Sequence, residues 1–279
     1  TASQDVSGDE PLCPARATLI SAGQFVAQEY PHLTSRMIHI RLPVPATAAT
    51  RLVEQLLAEL AAPVPARPLA YRGHQRWEHT VAPIRQADMP TGQPALRPAG
   101  VYLFTGRLEG STAVLADYLA RTVQARIVCL QAPGFPPPTP WNHWLAGHAD
   151  DDPVSRTIRQ AQALEQYGAQ VCIIEAVLTS SDHLEAVISA VQQRFGGLHG
   201  VIYAPDDLYT TIGQERYTYT PMDVDGALQQ EFLKLQALTH VLATVRLDWC
   251  ILQSTLATVV GGPGMIIPAA QGMLVNTIA

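Results

Sequence analysis

The sequence predicts an α/β protein built on a doubly wound parallel sheet, and three observations carry that prediction. From residue 98 onward, short apolar runs alternate with helical patterns, as strands buried on both faces alternate with their crossover helices. The stretch VYLFTGRLEGSTAVLADYLA, Val101 to Ala120, joins a strand to a helix through a glycine-containing turn. With 279 residues, 47% apolar and 15% charged, the chain is long enough for one large or two modest hydrophobic cores.

Taken in order, residues 14–30 read as an amphipathic helix, 36–42 as an alternating strand, 46–62 as a strongly helical segment, and 68–84 as strands around a turn at Gly73. A Pro- and Gly-rich joint at 87–100 marks a boundary near Arg97, giving domains 1–97 and 98–279. Beyond it come strand 100–106, helix 111–122, strand 125–131, helix 153–168, strand 169–178, helix 181–196 and strand 198–205. Helix 226–245, strand 249–257 and a helix from Pro268 follow, since proline is tolerated at a helix start. Two insertions break the rhythm. One, 132–152, closes on Asp150, Asp151 and Asp152, which read as a capping cluster before Pro153. The other, 205–223, follows a strand end, where such sheets place their substrate-facing loops. Ala58 and Leu60 are expected to pack the first part against the second.

Net charge is -6 with scattered Lys and Arg, so no nucleic-acid footprint is present. No apolar run reaches the roughly 18 residues that span a bilayer, and TASQDVSGDE lacks the pattern of a secretory leader, so no membrane partner is expected. Cys13, Cys129, Cys172 and Cys250 lie far apart, the last three in apolar strand-like runs, and they read as buried reduced thiols of a cytoplasmic protein. His143 and His148 are five residues apart, which does not set two imidazoles on one helical face, and no metal is expected.

Several stretches together resemble the ketoreductase domain of modular type I polyketide synthases, in the short-chain dehydrogenase/reductase superfamily. PARATLISAGQFVAQEYPHLTSRMIHI is similar to the latter half of the family's structural subdomain. PWNHWLAGHADDDPVSRTIRQAQALEQYGAQV, RFGGLHGVIYAP and LQSTLATVVGGPG are similar to its catalytic subdomain. The resemblance covers almost the whole chain. It implies a truncated Rossmann-like structural subdomain followed by a Rossmann-like doubly wound catalytic subdomain that stops before the family's closing elements.

Active members move hydride from NADPH to a β-ketoacyl group on an acyl carrier protein. The resemblance assigns that chemistry to positions at which this sequence departs from the family. The family turn T-G-G-x-G-x-x-G here reads Thr105, Gly106, Arg107, Leu108, Glu109, Gly110, Ser111, Thr112, with Arg107, Glu109 and Thr112 in glycine positions. Glycine serves there because backbone must approach a pyrophosphate closely, and Glu109 adds a like charge beside it. The arginine that meets the 2′-phosphate corresponds to Ala132, and the aspartate beside the adenine to Val177. Tyr203, Ala204, Pro205 and Asp206 correspond to the family's H-A-A-G run, which lies behind the nicotinamide ribose in active members. Ser254 and Thr255 fall on the family's serine pair, Pro268 on its tyrosine and Gly272 on its asparagine, while Lys234 lies one or two positions from the expected lysine. Proline offers no proton for general acid catalysis.

The resemblance and these losses together imply an inactive pseudo-ketoreductase that needs no cofactor and scaffolds neighbouring methyltransferase, dehydratase or carrier-protein domains. Two alternatives stand beside it: an NADPH-dependent reductase with an atypical site, and a vacated pocket that docks a partner domain through Trp141, Trp144 and Tyr203.

Overall fold

The computed structural model describes residues 3–42, 49–63, 67–85, 96–137, 141–205 and 221–278. The elements begin with α1 (Pro14–Glu29), β1 (Ile38–Ile40), α2 (Ala49–Ala61), β2 (Leu69–Arg72), β3 (Gln75–Glu78), β4 (Val101–Phe104), α3 (Gly110–Val123) and β5 (Arg126–Gln131). They continue with α4 (Trp141–Gly147), α5 (Pro153–Gln166), β6 (Gln170–Glu175), α6 (Ser181–Phe195), β7 (Gly200–Tyr203), α7 (Pro221–Leu242), β8 (Trp249–Leu252), α8 (Ala257–Val260) and α9 (Ile266–Ile278). Thr1–Thr91, Leu208–Leu228 and Ser254–Ala279 form one unit, and Gly92–Asp207 with Gln229–Gln253 form another. The segment after β8 therefore belongs with the N-terminal residues.

In the second unit five parallel strands lie in the order β6-β5-β4-β7-β8, the doubly wound arrangement the alternating pattern predicts. Side chains of β4 alternate between two cores. Val101 and Leu103 meet Leu184, Val187, Ile188 and Val191 of α6 and Ala237 and Val241 of α7. Tyr102 and Phe104 meet Ala116, Leu119 and Ala120 of α3 on the opposite face. Helices thus cover both faces of the central strands, which explains why those strands are apolar throughout. Asp152 caps α5, its carboxylate accepting the Ser155 N–H at 2.7 Å, and Ser180 caps α6.

The cysteine expectation needs correction. Cys129 is buried, but Cys13 and Cys172 are half-buried and Cys250 is exposed. Cys250 lies on β8, the edge of the sheet, so an apolar run there does not guarantee cover. The predicted strand 249–257 also ends early, at Leu252, and α8 begins at Ala257.

In the first unit β1 runs parallel to β2, with Ile38 opposite Leu69, and β2 runs antiparallel to β3. Gly73, at φ +60°, opens the two-residue hairpin loop, a position that needs positive φ. α1 starts with Pro14 and buries Ala17, Ile20, Ser21 and Phe25 at helical spacing. Phe25 shares a cluster with Ala257 and Ala269, so α1 packs on α9. Glu29 accepts the Ile266 N–H at 3.3 Å and satisfies an orphan donor at the head of α9.

α2 departs from the usual amphipathic arrangement. Val53, Leu57 and Leu60 are exposed while Glu59 is buried, accepting from Tyr71 Oη at 2.7 Å and Arg76 Nε at 2.5 Å. Ala58 is exposed too. Among the described residues no helix is long and apolar enough to cross a membrane.

Candidate functional site

Open α/β sheets place their crevice where strand order reverses, which here is at the ends of β4 and β7. These ends are tied together: Thr105 N–H donates to Ile202 O at 3.1 Å, and Ala204 N–H donates to Thr105 Oγ1 at 3.1 Å. A Cβ on Gly106 would lie 3.2 Å from Ala204 Cβ and carbonyl oxygen, so glycine is kept where the turn leaves β4.

From there the turn is held by its own side chains. Leu108 is buried in the core under α3. The Thr112 hydroxyl donates to the Arg107 and Glu109 carbonyls, each 2.6 Å away, and accepts the Glu109 N–H at 3.0 Å. Gly110, at φ +51°, takes the left-handed conformation that lets the chain enter α3. The Glu109 Oε1 atom lies 3.8 Å from Arg107 Nε and 3.7 Å from an Arg156 guanidinium nitrogen. A pyrophosphate placed at this helix head would lie against that carboxylate.

At the other positions the resemblance assigns to a cofactor, Ala132 is exposed after β5, and two residues on the Gly134 N–H donates to Glu175 at 2.8 Å. Val177 is exposed beyond β6. Tyr203 is buried and donates to the buried Glu231 of α7 at 2.5 Å. Lys234 lies half-buried one helical turn from Glu231. Asp206 and most of the 205–223 insertion lie outside the described residues.

Thr255 and Gly272 come together within the first unit, and Pro268 lies one turn before Gly272 on α9. α9 opens at Ile266, so Pro268 is its third residue instead of its first; the missing N–H still falls in the turn whose donors have no intrahelical partner. Pro268 and Gly272 are buried. A Cβ on Gly272 would stand 2.5 Å from Thr258 Cγ2, 2.8 Å from Thr255 Cγ2 and 3.0 Å from Ser254 Oγ. Ser254 Oγ donates to the Gly272 carbonyl at 3.2 Å, and Thr255 Oγ1 accepts the Ala257 N–H at 3.2 Å. Both hydroxyls are engaged with backbone, and α9 closes against the 254–258 segment. Asn276 is exposed on the following turn.

Three residues escape a reading of the sequence. Arg156 reaches the turn from α5; its signal is the D-D-P-x-S-R segment, whose arginine has no evident purpose in sequence alone. Leu108 and Glu231 matter by packing and pairing, which no motif announces. The aromatic residues weighed for docking are mostly structural: Trp141 is buried with Ile158 and Ala161, and its Nε1 donates to Pro136 O at 3.0 Å. Trp144 stacks on His148 with ring centroids 3.9 Å apart. Among the described residues no three His, Cys, Asp or Glu side chains are grouped to hold a metal.

A five-stranded doubly wound sheet with a strand–turn–helix at its switch point defines a dinucleotide-type α/β fold. The family model of the KR domain matches residues 100–279. The chain therefore belongs to the KR domain family, ketoreductase-like domains of the short-chain dehydrogenase/reductase superfamily. It is 24% identical over 267 residues to a phenolphthiocerol/phthiocerol polyketide synthase of Mycobacterium tuberculosis, covering 93% of this chain and 13% of that protein. It is 23% identical over 274 residues to 6-methylsalicylic acid synthase of Penicillium expansum, covering 98% of this chain and 14% of that one. The chain thus spans about one seventh of the length of these relatives. Its fold is similar to the adenylation, ketoreductase and pseudo Asub structure of a keto acid-selecting NRPS module, at TM-score 0.76 and 19% identity, covering 99% of this chain and 22% of that one. A C2-type ketoreductase from a modular polyketide synthase aligns at TM-score 0.71 and 18% identity, covering 98% and 53%.

Proposed function

We propose that this is a catalytically inactive ketoreductase-like domain that serves as an architectural part of a multidomain polyketide synthase. The observation that carries the proposal is the closure of α9 on residues 254–258. Carbonyl reduction needs a proton donor and an oriented hydroxyl beside the substrate oxygen. Pro268 has neither group, and the position of Gly272 leaves no room for an asparagine. The cofactor side agrees: Glu109 at the head of α3 and Ala132 after β5 do not fit the phosphates of NADPH, because one repels them and the other offers no charge.

What remains is a sheet with both central faces covered and a turn stabilised by its own side chains, which suits a domain kept for its shape. In that role it would sit among methyltransferase, dehydratase or acyl carrier protein domains and hold them in register. The chain's small share of its relatives' length is consistent with such a context.

NADPH titration followed by nicotinamide fluorescence, with turnover of a β-ketoacyl thioester as a second readout, tests the proposal. No saturable binding and no NADPH consumption are expected. Micromolar binding, or measurable reduction of the thioester, would refute it.

A further inference from the structure

We propose that the head of α3 is a self-ligated anion site, in which the carboxylate of Glu109 takes the place that a ligand phosphate occupies in dinucleotide folds. The inference rests on the proposal that this domain works without a nucleotide, and it adds how the site came to be closed. Disuse alone would leave the turn empty; here it holds an anion supplied by the chain.

Two cations from separate elements converge on a single oxygen. Arg107 comes from the turn itself and Arg156 from the first turn of α5, and both guanidiniums lie within 4 Å of Glu109 Oε1. That oxygen is buried and accepts no hydrogen bond among the described residues, although the side chain as a whole is 32% exposed. The Glu109 side chain also closes a capping box with Thr112, facing the N3 backbone N–H as an anion bound at a helix head does, while Oε1 is held by charge alone. The helix N-terminus behind it adds a partial positive charge. Two guanidiniums against one carboxylate leave the cluster net positive, and both arginines are about half-exposed, so a phosphate from solvent could reach them. The scaffold under the cluster has supports besides the Glu109 half of the capping box: Leu108 is packed in the core, the Thr112 hydroxyl ties the turn to its own backbone, and Gly110 keeps its left-handed bend.

Removing the carboxylate should then uncover a two-arginine site. A second anion about 4 Å from Glu109 is opposed by its charge, which corresponds to at least a tenfold loss of affinity in a partly shielded site. Glu109→Gln keeps the side-chain shape and drops the charge. Glu109→Asp is a better helix cap that withdraws the carboxylate by one methylene, and it serves should Gln disturb the turn. Inorganic pyrophosphate is titrated calorimetrically into the full chain at low salt, with thermal unfolding as the check on folding.

Glu109→Gln should bind pyrophosphate about tenfold or more tightly than the parent, Glu109→Asp should fall between, and adding Arg156→Ala should cancel the gain. Folded Gln and Asp variants that bind no better than the parent would overturn the inference, as would a gain that survives loss of Arg156. Neither result touches the preceding proposal, which falls on NADPH binding by the parent chain.

Discussion

Ser254 and Gly272 are locked together: the serine hydroxyl donates to the glycine carbonyl at 3.2 Å, and a Cβ at 272 would come 3.0 Å from that same hydroxyl oxygen. The contact joins the two segments to which the resemblance assigns the catalytic positions. It uses the hydroxyl on backbone and presses α9 against residues 254–258.

Restoring the family residues should therefore harm the protein. Gly272→Ala places a methyl group within 2.5 Å of Thr258 Cγ2, and overpacking of this kind costs about 1–3 kcal/mol. Gly272→Asn should cost more, and Pro268→Tyr combined with it should lower the thermal midpoint further without producing NADPH consumption. A double variant as stable as the parent would show that the segment has slack the packing denies.

How much of this is legible in sequence depends on whether a residue's surroundings lie nearby in the chain. The strands of the second unit and helices α3, α5 and α6 are legible because their periodicity and caps are local. The closeness of Arg107 to Glu109 follows from adjacency, and the absence of an ionisable side chain at Pro268 from residue type alone. Arg156 is not legible, since its approach depends on how α5 docks. Helix periodicity in α2 shows which face is apolar, but not whether anything covers it. Glu59 is buried because Tyr71 and Arg76, on other elements, reach it.

His39 should give the first unit an acid-sensitive limb. It is buried on β1, Ser3 Oγ lies 3.2 Å from its Nδ1, and its Nε2 has no hydrogen bond among the described residues. Burial, with Arg72 nearby, pushes its pKa from 6.5 down to about 4. The folded state refuses a proton that the unfolded chain accepts. Its contribution is therefore complete above pH 6.5, declines as pH falls toward about 4, and is gone below that. The loss is on the order of 2 kcal/mol, taking burial as incomplete. In urea unfolding at a series of pH values, His39→Gln should show a shallower fall than the parent between those limits. Parallel curves would exclude the histidine as the cause.

Gly200 should prove intolerant for a different reason. A Cβ there would meet the Trp249 indole at 2.6 Å, and that ring stacks on Tyr102 with centroids 5.2 Å apart. Gly200→Ala must push the edge-strand indole away from the tyrosine. A loss of about 1–3 kcal/mol is expected, together with a red shift of tryptophan fluorescence in the folded state. An unchanged spectrum would mean that the ring keeps its place and the strand moves instead.

The inverted face of α2 supplies the most direct test of why a carboxylate is buried there. Glu59 binds Arg76 and Tyr71, and the hydrogen bonds from Arg76, then Tyr71, hold its pKa below the usual carboxylate value of 4.5. A carboxyl whose folded pKa is depressed stabilises the fold above its unfolded pKa, and that contribution disappears as pH falls through the folded value. Glu59→Ala should leave the Tyr71 hydroxyl buried without its acceptor and cost about 2 kcal/mol at neutral pH. Glu59→Gln keeps an acceptor but loses the charge opposite Arg76, which is partly exposed, so its cost should be smaller. If packing alone mattered, Glu59→Leu would match the parent, because its apolar side chain fills similar space. If the hydrogen bonds matter, Leu should be as damaging as Ala at pH 7, and the parent's advantage over both should shrink below pH 4.5. Chemical denaturation of the four proteins at neutral and acidic pH separates the two cases. A Leu variant as stable as the parent at pH 7 would reduce the triad to a packing feature.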